Sequence, residues 1–209
     1  MSNGKFIVIE GMEGAGKSSA IAVVEKVLSA HQITFVKTRE PGGTPLAESL
    51  RSIVKSADHD ETLTQETELL LMYASRSQLL ANVIHPALAK GKWVVGDRHD
   101  LSSRAYQGGG REFSEQVMNS IADVTLKGFE PDLTLYLDVT PEVGLSRAQA
   151  RGELDRIELE KIEFFHRVRN TYLKLANAND KIITIDATQP MEHVHRTIES
   201  QLTAFLEQA

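Results

Sequence analysis

The chain has 209 residues, a net charge of −6 and no cysteine. That length suits one α/β domain over residues 1–209 with a sizeable core. The acidic balance provides no broad basic surface for a nucleic-acid partner, and the missing cysteines exclude disulfides and thiolate chemistry. No apolar run is long enough to span a membrane and no leader pattern opens the chain, so the expected setting is cytoplasmic, with no membrane partner. None of the seven histidines falls in H-E-x-x-H spacing, and no histidine metal site is expected.

The first predicted element is a strand at 5–10, whose apolar core is Phe6-Ile7-Val8-Ile9. It runs into Gly11-Met12-Glu13-Gly14-Ala15-Gly16-Lys17-Ser18, and a helical pattern follows at 17–30. A G-x-x-x-x-G-K-S sequence between strand and helix is a phosphate loop. Its glycines let backbone N–H groups face phosphate oxygens, the lysine reaches the β/γ-phosphates, and the serine hydroxyl joins a Mg²⁺ shell. Gly11 to Ser19 are therefore the candidate nucleotide-binding set, with ATP or GTP as the ligand and Ser18 as a metal ligand.

Strand 34–38 is followed by Arg39 and the stiff turn Glu40-Pro41-Gly42-Gly43. Helix 45–55 starts after Thr44-Pro45, where a capping hydroxyl precedes a proline at the first helical position. A polar stretch at 56–63 reads as surface. The helix expected over 65–90 carries the apolar stripe Leu69, Leu70, Met72 and Tyr73. Strand 93–97 delivers Asp97-Arg98, helix 114–127 follows, and strand 133–138 ends in Asp138. Thr140-Pro141 repeats the cap before helix 141–151. Helix 159–178, strand 182–186 and helix 190–207 complete the chain. Strands alternating with longer amphipathic helices predict a parallel sheet covered on both faces.

In such a sheet, ligands gather beyond the carboxyl ends of the strands. Arg39 and Arg98 both stand there, and arginine is the bidentate phosphate ligand of choice. They imply a second phosphate facing the loop, hence a phosphorylated acceptor; the alternative is pairing with a nearby acid. Arg147 and Arg151 lie four apart on one helical face, and Arg156 follows beyond Gly152. We read 147–158 as a lid carrying cations to the transferred phosphoryl group. Asp97 is preferred over Asp138 as the second metal-positioning residue, and Asp138 is expected to cap or brace the helix after it. Glu13, a carboxylate in an anion-binding loop, should turn away from phosphates toward a substrate hydroxyl.

These motifs closely resemble the bacterial thymidylate kinase family of P-loop nucleoside monophosphate kinases. The resemblance rests on residues 6–18, on Thr38-Arg39-Glu40-Pro41-Gly42-Gly43-Thr44, on Asp97-Arg98-His99-Asp100-Leu101-Ser102 with Ala105-Tyr106-Gln107-Gly108, and on Arg151-Gly152-Glu153-Leu154-Asp155-Arg156-Ile157-Glu158. It implies a three-layer P-loop NTPase fold with strand order 2-3-1-4-5, a homodimer, and transfer from Mg·ATP to dTMP. It also implies that Lys17, Arg98, Arg147, Arg151 and Arg156 serve catalysis, with Ser18 and Asp97 at the metal. Arg39 and Arg98 would bind the acceptor phosphate, Glu13 the sugar hydroxyl, and Tyr106 would exclude a ribose 2′-hydroxyl. Arg76, Ser102 and Gln107 would recognise the base. Where the family commonly has a base-stacking phenylalanine this chain has Met72 followed by Tyr73, and either residue can take that contact. A kinase for another nucleotide or nucleoside acceptor is the alternative. A guanine-nucleotide switch is disfavoured because Asn177-Ala178-Asn179-Asp180 lacks the lysine of N-K-x-D.

Overall fold

The computed structural model describes residues 4–56, 60–150, 152 and 154–208. Five parallel strands form one sheet: β1 (Phe6–Glu10), β2 (Phe35–Arg39), β3 (Trp93–Asp97), β4 (Leu133–Asp138) and β5 (Ile182–Asp186). Their order is β2-β3-β1-β4-β5, as expected, and every strand lies within one residue of its predicted bounds.

β1 is central because all its residues can be buried. Its side chains alternate between two cores, as the period of two requires. Ile7 and Ile9 pack with Val24 and Leu28 of α1 (Lys17–Ala30) and with Ile198 and Leu202 of α9 (Met191–Leu206). Phe6 and Val8 join Leu79, Leu80 and Ile84 on the opposite face. Each such fully buried side chain contributes about 1.5–3 kcal/mol relative to exposure. The strand therefore holds the phosphate loop at its carboxyl end on a rigid base.

The remaining helices are α2 (Pro45–Lys55), α3 (Gln65–Leu79), α4 (His85–Ala89), α5 (Asp100–Ser103), α6 (Glu115–Leu126), α7 (Pro141–Gln149) and α8 (Ile162–Ala176). The Thr44 hydroxyl caps α2 by accepting from Ala47 N at 3.2 Å. Thr140 does not cap α7, because its hydroxyl serves the Glu142 carboxylate instead. Asp138 does not brace α7 either. It takes Arg169 of α8 in a two-pronged pair at 2.8 and 2.7 Å, so α8 is fastened to the end of β4.

The helix expected over 65–90 is interrupted. A π-helical segment, Leu80–Ile84, separates α3 from α4, and His85 N–H reaches back five residues to the Leu80 carbonyl. Pro86, which has no N–H, follows at once; widening the turn accommodates the lost helical bond. A second π segment, Arg104–Gly110, occupies a stretch where no helix was predicted. Three successive glycines disguised it. A Cβ on Gly109 would lie 2.1 Å from Thr171 Oγ1, so the glycine lets this segment press against α8.

Gly144 makes a similar approach between α7 and the phosphate loop. A Cβ there would fall 2.6 Å from the Glu13 carbonyl oxygen and 3.2 Å from Val139 Cγ2. Alanine is favoured over glycine in a helix interior by about 1 kcal/mol, but overpacking against backbone costs about 1–3 kcal/mol. Gly144→Ala is therefore expected to lower the Tm by about 2–6 °C and to weaken ATP binding, measured by thermal unfolding and nucleotide titration. A raised Tm with unchanged nucleotide affinity would show that helix propensity wins.

Candidate functional site

The loop after β1 and the carboxyl ends of β2 and β3 open onto a cavity of about 510 Å³. Gly14, Gly16, Lys17, Ser18 and Ser19 line it, while Met12 and Ala15 lie buried beneath. Gly11 is buried with them at the end of β1. Lys17 Nζ donates to the Gly11 and Met12 carbonyls, each at 3.0 Å, which holds the ammonium across the loop. Burial and the like charge of Arg98 lower its pKa to about 8, against the pull of Glu13, Asp97 and Glu10.

Arg98 follows β3 in the left-handed region, at φ 70°. For a residue with a Cβ this costs on the order of 1 kcal/mol, so the surroundings must enforce it. They do so through Glu10, the fully buried last residue of β1. Its carboxylate accepts from His99 N at 2.8 Å, Ser102 Oγ at 2.6 Å and Tyr172 OH at 3.0 Å. Burial pushes the Glu10 pKa up in spite of nearby Arg98 and these donors.

The turn so fixed aims the Arg98 guanidinium at Glu13, with Nη2 2.5 Å from Oε1, and at Ser102 Oγ, 3.0 Å from Nη1. Tyr106 OH donates to the other Glu13 oxygen, and its ring lies beneath the guanidinium. Burial would raise the Glu13 pKa, but Arg98, Lys17 and the Tyr106 hydroxyl outweigh it and the carboxyl is held below its ordinary value. Glu13 is thus the loop's internal counter-ion; Arg98 and Tyr106 meet it on the cavity wall, and Ser102 lines the same wall through its bond to Arg98.

Arg39 also lines the cavity, bound in two-pronged fashion by Glu48 of α2 at 3.2 and 2.8 Å. Its side chain is half exposed. An exposed pair of this kind contributes only about 0–1 kcal/mol, so the Arg39 guanidinium can leave Glu48 at little cost. Arg51 lines the same wall, with Nη1 2.7 Å from the Pro41 carbonyl. Nothing in the sequence distinguished it from the other charges of an amphipathic helix.

Met72 and Gln107 line the cavity; Tyr73 does not, because its hydroxyl donates to Asp100 at 2.8 Å. Arg76 is fully buried behind the wall. It binds Glu40 at 2.7 Å, Ser103 Oγ at 2.9 Å, the His99 carbonyl at 3.1 Å and Asp100 at 3.4 Å. The structure therefore places Arg76 as a strut joining α3 to the loops after β2 and β3. Breaking such a buried pair from one side typically costs about 3–5 kcal/mol.

The lid arginines diverge. Arg147 of α7 donates to the Gly14 and Ala187 carbonyls, at 3.3 and 3.1 Å, and lines the cavity beside the phosphate loop. Arg156 binds Glu68 of α3 at 2.6 Å and the Val54 carbonyl at 2.9 Å, and lines a second cavity of about 610 Å³. Lys55 pairs with Asp155 at 2.5 Å, so the lid segment is fastened to the end of α2. Arg151 lies outside the described residues.

The thymidylate kinase family model matches residues 9–198. A thymidylate kinase of Colwellia psychrerythraea is 71% identical over 206 residues, 99% of this chain and 97% of that protein. Thymidylate kinases of Pseudoalteromonas translucida and Shewanella frigidimarina are 61% and 60% identical over 96% and 97% of this chain, and over 96% and 94% of their own lengths. The chain belongs to the thymidylate kinase family. The expected sheet order and the cavity beyond its strand ends are those of a P-loop kinase.

The residues present fit a Mg²⁺ ion of the kind a P-loop kinase uses. Asp97 Oδ1 is buried with no hydrogen-bond partner, and Asp97 and Ser18 line one cavity. Among the described residues no group of three or more His, Cys, Asp or Glu forms a dedicated metal cage. Mg²⁺ in kinases is held in just this way, by one or two protein oxygens with substrate phosphates and water.

Lys17 is expected to make nucleotide binding pH-dependent. Its pKa of about 8 in the free protein rises when phosphates replace the carbonyls as its partners, so binding takes up a proton above pH 8. Affinity is then full below that value and lost as pH rises through it, by about tenfold between pH 7 and pH 9. Calorimetric titration of ATP in two buffers of different ionisation enthalpy reads the uptake directly; equal heats at pH 9 would refute it.

Proposed function

We propose that this member of the family transfers the γ-phosphoryl group of Mg·ATP to the phosphate of dTMP, giving dTDP and ADP on the route to dTTP. The observation that carries this reading is the union in one cavity of a phosphate loop with a second set of anion-binding groups, Arg98 and Arg39, around a carboxylate and a tyrosine. A hydrolase has no use for the second set.

In this reading the donor phosphates lie along the phosphate loop against Lys17, with Ser18 and Asp97 holding Mg²⁺. When bound, the metal neutralises charge on the donor phosphates. Arg98 and Arg39 grip the acceptor phosphate, Glu13 accepts from the sugar 3′-hydroxyl, and Tyr106 fills the space of a 2′-hydroxyl. An acceptor phosphate oxygen attacks the γ-phosphorus as the bond to the β-bridging oxygen breaks. No base is needed, because a phosphate monoester with a second pKa near 6 is already largely a dianion at neutral pH. The protein's work is alignment and charge neutralisation between two anions. Arg147 serves from the loop side, and Arg151 and Arg156 belong to the lid. Met72, lining the cavity, takes the face of the base in preference to Tyr73, while Ser102 and Gln107 contact it and Arg76 acts from behind the wall.

The setting proposed is cytoplasmic; no helix among the described residues is long and apolar enough to cross a membrane. A homodimer is proposed through α3 and α6, where Leu70, Val117 and Val124 stand exposed at 58%, 40% and 76%. Such apolar exposure on adjoining helices suits an interface. Light scattering is expected to give twice the chain mass, and a monomer at micromolar concentration would exclude it.

A coupled ADP assay with ATP and dTMP, dUMP, UMP, CMP and AMP tests the reaction, with dTMP expected to be the best acceptor. Arg98→Ala should lower kcat/KM for dTMP by about 10²–10³ while ATP affinity survives, and Arg39→Ala should act in the same direction more weakly. Preference for a purine monophosphate, or equal loss of ATP affinity in both variants, would overturn the assignment.

A further inference from the structure

Glu68, on α3, is 1% exposed and sits between the two cavities. Its carboxylate takes donors from three directions. Oε1 accepts from Gln107 Nε2 at 2.8 Å and from Arg111 Nε at 3.2 Å. Oε2 accepts from Arg111 Nη2 at 2.9 Å and from Arg156 Nη2 at 2.6 Å. Arg111 in turn reaches Glu160 beyond the lid at 2.5 Å.

Two consequences follow from donor and acceptor chemistry. An ionised carboxylate only accepts, so the side of the Gln107 amide facing Glu68 must be NH₂. The Gln107 oxygen then points elsewhere, and it is buried with no hydrogen-bond partner on a residue that lines the acceptor cavity. An unmet buried carbonyl seeks an N–H. A thymine or uracil ring presents one at N3, whereas cytosine presents a bare nitrogen there. The same carboxylate oxygen pair also anchors Arg156 of the lid. Burial pushes the Glu68 pKa up, but Arg111, Gln107 and Arg156 bring it below the ordinary carboxylate value, which keeps it an acceptor.

We propose that Glu68 is a positioning residue that fixes the Gln107 amide with its oxygen toward the acceptor base, while its other carboxylate oxygen separately anchors Arg156 of the docked lid. The role is selection of bases carrying an imide N–H, and it rests on the acceptor reading given above. Glu68 touches neither substrate.

The test compares dTMP with dCMP as acceptors and adds a readout independent of turnover. In Glu68→Gln the residue at 68 offers a donor as well as an acceptor, so the Gln107 amide is free to turn. The ratio of kcat/KM for dTMP over dCMP is expected to fall by about tenfold, the worth of one hydrogen bond. Arg156→Gln, which cuts only the lid arm, should lower kcat with both acceptors and leave the ratio unchanged. Because Glu68→Gln leaves two cations facing one remaining acid, Glu68→Gln with Arg111→Gln serves as the charge-balanced variant if the single one does not fold. In the free protein, the side-chain amide protons of Gln107, followed by ¹⁵N NMR, should exchange with water about tenfold faster in either Glu68 variant than in the parent. An unchanged acceptor ratio together with unchanged amide exchange in a folded Glu68 variant overturns the proposal. So does a ratio that falls as far in Arg156→Gln as in Glu68→Gln. A parent chain that does not phosphorylate dTMP would overturn the acceptor reading instead, and the exchange measurement would still decide whether Glu68 holds the amide.

Discussion

The constraint on which the site depends is that a cavity lined by several cations must hold them together against their mutual repulsion. Two like charges 4 Å apart repel by about 4 kcal/mol at the effective dielectric of a partly wetted site. Four of the arginines described above are accordingly matched to a carboxylate, Arg98 to Glu13, Arg39 to Glu48, Arg76 to Glu40 and Arg156 to Glu68, while Arg51 and Arg147 are held by backbone carbonyls. These pairs keep the strand ends compact and the arginines aimed. The apparent misfit of an acid within the phosphate loop follows from the same need, since Glu13 pairs with Arg98 and is the carboxylate that acts most strongly on Lys17.

The pairs differ in burial, and burial sorts them by task. Arg39 and Glu48 are exposed and loosely held, so the arginine can change partners. Arg76 and Glu40 are sealed, their separation is prohibitive, and they act as framework. Arg98 lies between these limits. Its guanidinium is largely enclosed by Tyr106, Tyr172 and Ser102 while one edge meets the cavity, so it presents a charge there from a fixed position.

How much of this was legible beforehand follows from sequence separation. The strands and the phosphate loop announce themselves within a dozen consecutive residues, and their bounds were readable to within a residue. Arg39, Asp97 and Arg98 were readable because the ends of parallel strands are where such folds place ligands. The supports were not. Glu10 meets Tyr172 across 162 residues, and Glu68 meets Arg156 across 88; no local pattern marks either acid, and a buried glutamate on an amphipathic helix looks like any solvated one. The π segment at Arg104–Gly110 was hidden by its glycines, which speak for a loop unless the Thr171 side chain pressed against Gly109 is known. Resemblance named Arg76 as a base-recognising residue; only the coordinates place it behind the wall, and only they separate Met72 from Tyr73.

The dovetail between Gly144 and the Glu13 carbonyl carries a mechanical consequence. With no side chain between them, and with Arg147 bonded to the Gly14 carbonyl, α7 and the phosphate loop form one rigid piece. Any swing of the segment bearing Arg156 must pivot beyond Gln149, where α7 ends. Gly152 lies just there at φ 133°, and among the described residues nothing stands within 4 Å of where a Cβ would be. The phosphate loop and the start of the segment bearing Arg156 then share a single frame, so a pivot beyond Gln149 would leave the spacing between loop and α7 unchanged and alter only the contacts that Asp155 and Arg156 make with α2 and α3.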